Sequence, residues 1–247
     1  MTTASDRGGA SRARAVWQYG EPVHAVVYYA PEIRAATDAL GLKGGWMSYF
    51  GCRAAPLGAA AAPLVAALFY NFHPQMVARA IPDAWTYAAP AALVEARRAA
   101  MDGALRRVLG DDVLSSSTAA RAADLAAAAV AGCNMAGRPM GAANQAVPEP
   151  DEPHLRLWQA LTAIREHRGD GHVDRLVDQE MRITAAGAEL RQTIEDGTDR
   201  LAAPIVAAIG DDGADELVTL LRPLADAVMA AGAVPAHNNM GVPWPPP

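Results

Sequence analysis

The chain has 247 residues, of which 51% are hydrophobic and only 6% aromatic, and its formal net charge is −6 at pH 7. Such a length fits one large domain or two small ones with a sizeable core. The apolar residues are mostly alanine, leucine and valine, which favours closely packed helices. The negative charge argues against general affinity for duplex DNA, because phosphate contacts need a basic patch.

The sequence indicates neither a leader peptide nor a membrane span. The N-terminal residues MTTASDRGGASRAR contain no apolar signal-peptide core. The longest apolar run, Leu57 to Phe69, is too short to cross a bilayer. Cys52 and Cys133 lie far apart without metal-type spacing, so we expect reduced packing residues. These features predict a cytoplasmic protein with no membrane partner.

Prolines and glycines divide the chain into predicted helices, and Gly20 is expected to close the first of them. The predicted fold is all-α, a multi-helix orthogonal bundle with at most a vestigial β element near residues 182–184. The predicted organisation is a disordered tail (1–10), an N-terminal helical domain (11–147), an acidic Pro-rich linker, a C-terminal helical region packed on that domain (153–233) and a Pro-rich tail (234–247).

A first polar stripe lies on a short helix predicted to start near Pro22. Glu21, His24 and Tyr28 are spaced i, i+3 and i+7, so they share one face beside several valines. A carboxylate, an imidazole and a phenol in a row can pass a proton or hold a ligand. The alternative is a core histidine with its hydrogen-bond partners.

Two further stretches combine arginine with an apolar setting. Trp46, Tyr49 and Phe50 form the densest aromatic stretch, just before Arg53. This arrangement suits a planar or anionic ligand, with plain packing as the alternative. Further along, Arg97 is a charge within the apolar row of an amphipathic helix.

The stretch from Trp158 to His172 concentrates charged side chains in an alanine-rich chain. A helix starting at Pro153 places Arg165 and Arg168 on the same side as its leucines, with Glu166 at the edge. A buried guanidinium cannot lose its proton, so it must find a carboxylate, a backbone carbonyl or an anionic ligand.

Beyond this helix, Gly169 begins a turn that can direct Asp170 and His172 back toward the arginines. We predict that Arg168 forms a bidentate pair with Glu21 or Asp170. The alternative is a buried ion-pair network that only fixes helix packing.

Standard catalytic signatures are absent from the sequence. There is no Walker-type loop, dinucleotide-binding glycine motif, nucleophile elbow or zincin motif. Asp170 and His172 could join His24 or Glu166 around a metal, but the spacing fits no standard ligand set. The sequence therefore identifies neither a cofactor nor a metal.

Four segments together carry a family resemblance, and they read EPVHAVVYYAPE, WMSYFGCRAAPLG, LTAIREHRGDGHV and ITAAGAELRQTIEDGTDRLAAP. They resemble an actinobacterial helix-turn-helix family of MarR-like winged-helix character, with REHRGDGHV as the most specific element. The similarity covers nearly the whole chain. It implies a helical fold and ligand sensing.

In that family, a winged-helix segment of roughly 60 residues would precede the ITAAG element. Here only thirteen residues, Asp170 to Arg182, separate Gly169 from Ile183. One recognition helix alone needs about ten residues. The DNA-reading element is therefore expected to be missing, and we predict no sequence-specific binding of duplex DNA.

The sequence supports three hypotheses. The first is a small-molecule-binding helical protein, either a plain binder or an acid/base or metal-assisted enzyme of actinobacterial specialised metabolism. The second is a MarR-like, ligand-responsive transcriptional regulator that acts as a homodimer, or a degenerate relative that does not bind DNA. The third is a structural or interaction protein. The candidate catalytic residues are Glu21, His24, Tyr28, Glu166, Asp170 and His172, and the candidate ligand-binding residues are Trp46, Tyr49, Arg53, Arg165 and Arg168.

The polar stripe and the arginine-rich stretch are each hard to bury alone, because each has more hydrogen-bonding capacity than its own helix can satisfy. We therefore predict that the His24 helix packs across the Arg168 helix. A pocket should open between them, with the aromatics from Trp46 to Phe50 at its wall. His24 should then titrate away from an ordinary histidine, and ligand binding should depend on pH near neutrality.

Overall fold

The computed structural model describes residues 4–169, 185–235 and 244–246. Within these ranges the backbone forms helices and turns and contains no strand, so the predicted all-α fold is confirmed. The vestigial β element predicted near residues 182–184 lies outside the described ranges. One apolar core, rich in alanine, includes residues of both predicted helical regions.

Proline marks the start of many helices, because the first helical turn does not use the backbone N–H that proline lacks. A 3-10 turn at Ala55–Leu57 follows the third helix. In chain order the helices are α1 (Ala4–Tyr29), α2 (Pro31–Ala39), α3 (Gly44–Ala54), α4 (Ala62–Leu68), α5 (Pro74–Ala78), α6 (Ala84–Tyr87), α7 (Pro90–Leu109), α8 (Asp111–Leu114), α9 (Ser117–Ala131), α10 (Pro139–Gln145), α11 (Pro153–Gly169), α12 (Ala185–Ala202), α13 (Pro204–Ala207) and α14 (Gly210–Ala230).

Helix α1 is longer than predicted. The sequence predicted a helix end at Gly20 and a tail up to residue 10, whereas α1 runs without a break from Ala4 to Tyr29. Gly20 lies where α1 crosses α11, and a Cβ at this position would come 2.7 Å from Leu161 Cδ2. The glycine therefore permits a close approach of two helices and does not end one.

Helix α11 lies in the middle of the molecule, where it packs against α1, α7, α9, α10 and α12. The residues of its predicted apolar row are all buried: Leu157, Trp158, Leu161 and Ile164. Its polar residues Glu166, His167 and Arg168 are buried as well. These polar groups must be satisfied inside the protein, so the helix carries its charged side chains into the core.

No single helix among the described residues is long and apolar enough to cross a membrane. Within the described ranges, the segments Gly44–Leu57 and Ala62–Leu68 reach the length and apolar composition of a membrane span only when they are counted together. They meet at a bend of 93°.

Replacing Gly132 by alanine should destabilise the contact between the ends of α9 and α13. A Cβ at residue 132 would lie 2.1 Å from the Cβ of Ala208 and 3.2 Å from its Cα, and neither atom can rotate away. We expect the free energy of unfolding, measured by urea denaturation, to fall by about 1–3 kcal/mol.

The matched control is Gly103→Ala in α7, because the new Cβ would meet only the Glu32 Cγ, at 3.7 Å. This substitution should raise the free energy of unfolding by up to about 1 kcal/mol through helix propensity. Equal changes in the two variants would contradict the steric explanation.

Candidate functional site

Helices α1 and α11 meet through their polar side chains as well as their apolar ones. His24 Nδ1 lies 3.0 Å from Thr162 Oγ1, and Trp158 Nε1 donates to the backbone carbonyl of His24 over 3.2 Å. The predicted packing of the His24 helix across the Arg168 helix is therefore confirmed. The centre of the site is this helix crossing.

The hydrogen bonds around His24 assign its tautomer. The Thr162 hydroxyl donates to the Trp158 carbonyl over 2.9 Å, so its oxygen is left to accept from His24 Nδ1–H. In a neutral imidazole Nε2 is then an acceptor, and it lies 3.0 Å from the Tyr28 hydroxyl, which donates to it. Glu21 takes no part in this chain, so the predicted three-residue stripe divides into a pair and a separate carboxylate.

The charge states of this pair are set by burial. Burial lowers the pKa of His24 well below its ordinary value of 6.5, and the nearby Arg165 cation acts in the same direction. Burial also raises the pKa of Tyr28 above its ordinary value. At neutral pH the pair is therefore an uncharged imidazole accepting from an uncharged phenol.

Glu166 is clamped by two arginines. Arg53 on α3 donates to both of its carboxylate oxygens, from Nε over 2.9 Å and from Nη2 over 3.0 Å. Arg165 Nη1 donates to the same carboxylate over 2.9 Å. Burial alone would raise the pKa of Glu166, but Arg165 and Arg53 outweigh it and hold that pKa well below its ordinary value. Glu166 is thus a permanent carboxylate.

Aromatic side chains support the Arg53 guanidinium on α3. Arg53 Nη1 donates to the Tyr49 hydroxyl over 3.0 Å, and the guanidinium lies 4.2 Å from the centre of the Phe69 ring. Tyr49 is therefore part of the polar network. Trp46, by contrast, is 55% exposed and stacks on Phe50, with its ring centre 5.7 Å away.

Glu21 forms a second buried carboxylate site beside the first. Trp17 Nε1 donates to one of its oxygens over 3.1 Å, and Arg165 Nε lies 3.6 Å from the other. Burial raises the pKa of Glu21, against the opposing effect of Arg165. The arginine that contacts Glu21 is thus Arg165 and not Arg168.

The predicted pairing of Arg168 with Glu21 is wrong. Arg168 instead donates from Nη1 to Asp199 over 2.6 Å and from Nη2 to Glu195 over 2.9 Å, both on α12. Its guanidinium also covers the Trp17 ring at 4.5 Å. Arg168 lies in the last turn of α11, where α12 and Trp17 of α1 are both within reach of its side chain. The candidates Asp170 and His172 lie outside the described residues.

A cavity of about 180 Å³ opens beside the His24–Tyr28 pair, between α1, α2, α3, α7 and α11. Trp46 and Phe50 do not line it, which corrects the expectation of an aromatic wall running from Trp46 to Phe50; of those aromatics only Tyr49 does. Arg168 does not line it either. The polar side chains that line the cavity are His24, Tyr28, Tyr29, Arg34, Ser48, Tyr49, Cys52, Arg53, Arg97, Thr162 and Glu166.

Arg97 is a lining residue that the sequence-based site omitted. It is only 6% exposed, and it donates to the Cys52 carbonyl over 3.2 Å and to Asn144 Oδ1 over 3.4 Å. Burial lowers the pKa of Arg97, which marks an ion in an unfavourable setting. The available signal was its place in the apolar row of α7, where a charge needs an explanation.

The hydrogen-bonded pair of His24 and Tyr28 keeps its protons at neutral pH. Glu166 is always ionised, and both His24 and Tyr28 stay neutral, so no group in the hydrogen-bonded pair exchanges a proton at neutral pH. Among the described residues, no cluster of three or more metal-binding side chains is present. The predicted pH dependence of ligand binding near neutrality is therefore not expected to come from His24.

Several arginines at or near the surface pair with carboxylates on other helices. Each such pair reduces the positive charge that is available for phosphate binding. The interhelical pairs are Arg12 with Asp215, Arg107 with Glu32, Arg121 with Glu216 and Arg156 with Asp124.

Removing the charge of Glu166 should cost much of the stability of the protein. In Glu166→Gln, the buried Arg53 would lose its carboxylate and the half-buried Arg165 would keep only Glu21, at a cost of about 3–5 kcal/mol. Urea denaturation at pH 7 measures the loss. The control is Glu216→Gln, whose pair with Arg121 is exposed and should contribute at most about 1 kcal/mol. A Glu166→Gln protein as stable as the control would exclude the clamp.

The stability of the protein should fall as the pH drops below about 6.5. His24 is neutral when buried but gains a proton in the unfolded chain, so acid favours unfolding. The contribution of His24 is present above its unfolded pKa and is lost toward its lower folded pKa. The wild-type free energy of unfolding should decrease with pH more steeply than that of His24→Gln, by at most about 1.4 kcal/mol per pH unit. Parallel curves from pH 8 to 5.5 would contradict this.

The sequence was also compared with known proteins. The profile of a family described as a helix-turn-helix family matches residues 13–182 and residues 174–235. No curated protein and no solved structure gave a significant match. Because the two matched segments together span most of the chain, the protein belongs to this helix-turn-helix family.

Proposed function

We propose that the protein is a ligand-responsive, regulator-type member of its helix-turn-helix family, and that the ligand binds in the cavity between α1, α3, α7 and α11. The observation that carries this proposal is the partly open cavity with a polar wall, in which neutral His24 and Tyr28 adjoin the ion pair of Arg53 and Glu166. A wall whose charges and hydrogen bonds are already in place is typical of a preformed ligand site.

The geometry favours a sensor over an enzyme. An acid/base catalyst needs a group whose pKa lies near the working pH, whereas the pKa values of His24, Tyr28 and Glu166 are all shifted away from neutrality. Glu21, whose pKa burial raises, does not line the cavity. The same side chains can orient a ligand through hydrogen bonds. The helix-turn-helix family, which suggests a regulator-type protein, points in the same direction.

We further propose that this chain senses its ligand without reading duplex DNA itself. The net charge of −6 and the paired surface arginines oppose phosphate binding. The two family-matched segments overlap at residues 174–182. The sequence spacing in this region, thirteen residues between Gly169 and Ile183, is shorter than a winged helix needs and supports the proposal. The MarR-like resemblance also implies a homodimer.

A second candidate function is a DNA-binding regulator, which the family description favours. The two candidates differ in one measurable property. Filter binding of radiolabelled genomic duplex fragments should show no sub-micromolar, salt-sensitive retention at physiological salt if the chain does not read DNA. Retention that falls steeply with added salt would support the second candidate and overturn the first on this point.

Ligand binding is tested by blocking the cavity. Gly45 lies exposed at its edge, and a Cβ there would meet only Arg34 Nη1, at 3.8 Å, so Gly45→Phe should fold while its ring obstructs the entrance. In a thermal-shift screen of metabolite-sized compounds, we expect wild-type protein to be stabilised by at least one compound and Gly45→Phe to lose that stabilisation.

The control for this screen is Ala99→Phe, which adds the same ring at an exposed position of α7 that does not line the cavity. It should keep the wild-type response. An identical response from Gly45→Phe would show that the compound binds elsewhere and would refute the cavity as the ligand site.

A further inference from the structure

We infer that the cavity takes a small organic monoanion with a planar body, and that Arg97 anchors its negative group. This inference rests on the proposed ligand-binding function and specifies its ligand class. It depends on a difference between the buried arginines. Among the described residues, Arg53, Arg97 and Arg168 are buried and Arg165 is half-buried. Of these four, Arg97 alone has no carboxylate partner.

The arginines that the sequence pointed to are already neutralised. Arg53 donates to both carboxylate oxygens of Glu166, and Arg165 contacts the carboxylates of both Glu166 and Glu21. Arg168 is matched by two carboxylates on α12. An anionic ligand would have to compete with these built-in partners, so none of these three arginines is its natural anchor.

Arg97 is different, because no carboxylate of the described residues forms an ion pair with it. Its two hydrogen bonds go to neutral oxygens, those of the Cys52 backbone and the Asn144 side chain. Its guanidinium lies 5.3 Å from the centre of the Trp158 ring, and its buried Nε–H has no acceptor. A buried cation with an unused donor is costly, and an anion in the adjoining cavity would offset that cost.

The charges of the wall limit the ligand to one negative charge. Of the arginines that line the cavity, Arg34 and Arg53 are paired with carboxylates, so Arg97 can neutralise one negative charge and a second would stay unpaired in a cavity of about 180 Å³. The centres of the Tyr28 and Tyr49 rings lie 5.2 Å apart at this wall, and a planar ligand can pack against these rings. A carboxylate on an aromatic ring meets these requirements, whereas a phosphate dianion does not.

The probes that test this class share a shape and differ in charge. Phenylacetate is the monoanion, phenylacetamide its neutral isostere and phenyl phosphate a dianion, with benzoate and indole-3-acetate as monoanions of other sizes. We expect at least one of the three carboxylates to bind wild-type protein in calorimetric titration at pH 7. Its neutral amide and phenyl phosphate should bind at least tenfold more weakly.

The variant Arg97→Met separates anchoring from folding. It removes a buried cation while keeping an apolar side chain, so the unliganded melting temperature should stay equal or rise, whereas carboxylate affinity should fall at least tenfold. Arg97→Lys retains the charge without the planar fork, and it should bind the carboxylate between the two extremes. The matched control is Arg98→Met, because Arg98 lies on the same helix and pairs with Glu95 away from the cavity; its affinity should be unchanged.

The outcomes distinguish this inference from the proposed function. Equal binding of a carboxylate and its amide, or full affinity in Arg97→Met, would overturn the anion anchor while leaving a ligand-binding cavity in place. Failure of all three carboxylates to bind would also overturn it, and the neutral compounds of the thermal-shift screen would then decide the proposed function alone. A tenfold loss in Arg97→Met with an intact Arg98→Met response supports the inference.

Discussion

The buried carboxylate of Glu166, held between two guanidinium groups, is the interaction on which the rest of the structure depends. It joins α3 to α11 through Arg53, and Arg165 extends the same charges to Glu21 on α1. None of these groups can be exposed or removed without leaving an unpaired ion in the core. The ion pair of Arg53 and Glu166 therefore fixes the positions of the helices that line the cavity.

Buried ion pairs of this kind rarely make a protein more stable than apolar residues of the same volume would. Their value lies in fixing one arrangement of helices that alanine-rich surfaces alone would specify poorly. In this protein the buried charges differ in how well they are compensated. The Glu166 carboxylate is paired with two arginines, whereas the contacts of the Arg97 guanidinium are two neutral oxygens and the Trp158 ring. We interpret the incomplete compensation of Arg97 as a sign that this arginine binds a ligand, whereas the paired arginines fix helix packing.

The sequence predicted which residues face inward but not which partners they meet. Helical periodicity placed Arg168 on a buried face, and burial requires a counter-charge, yet the carboxylate that meets it, Asp199, lies 31 residues away on another helix. Aromatic density likewise marked the segment of Trp46 and Tyr49 without telling which ring faces the cavity. Gly20 was predicted to end a helix because, in a sequence, a glycine at a helix crossing cannot be distinguished from a glycine at a helix end.

The contacts of Arg168 have a consequence for how α12 is held on the core. They tie the end of α11 to α12 through Glu195 and Asp199, and Arg14 of α1 reaches Asp199 as well. Glu195 and Asp199 lie in the second half of α12 (Ala185–Ala202), so these contacts fix that half of the helix against the end of α11 and against α1. The position of α12 on the core therefore depends on one buried guanidinium and the two carboxylates that pair with it.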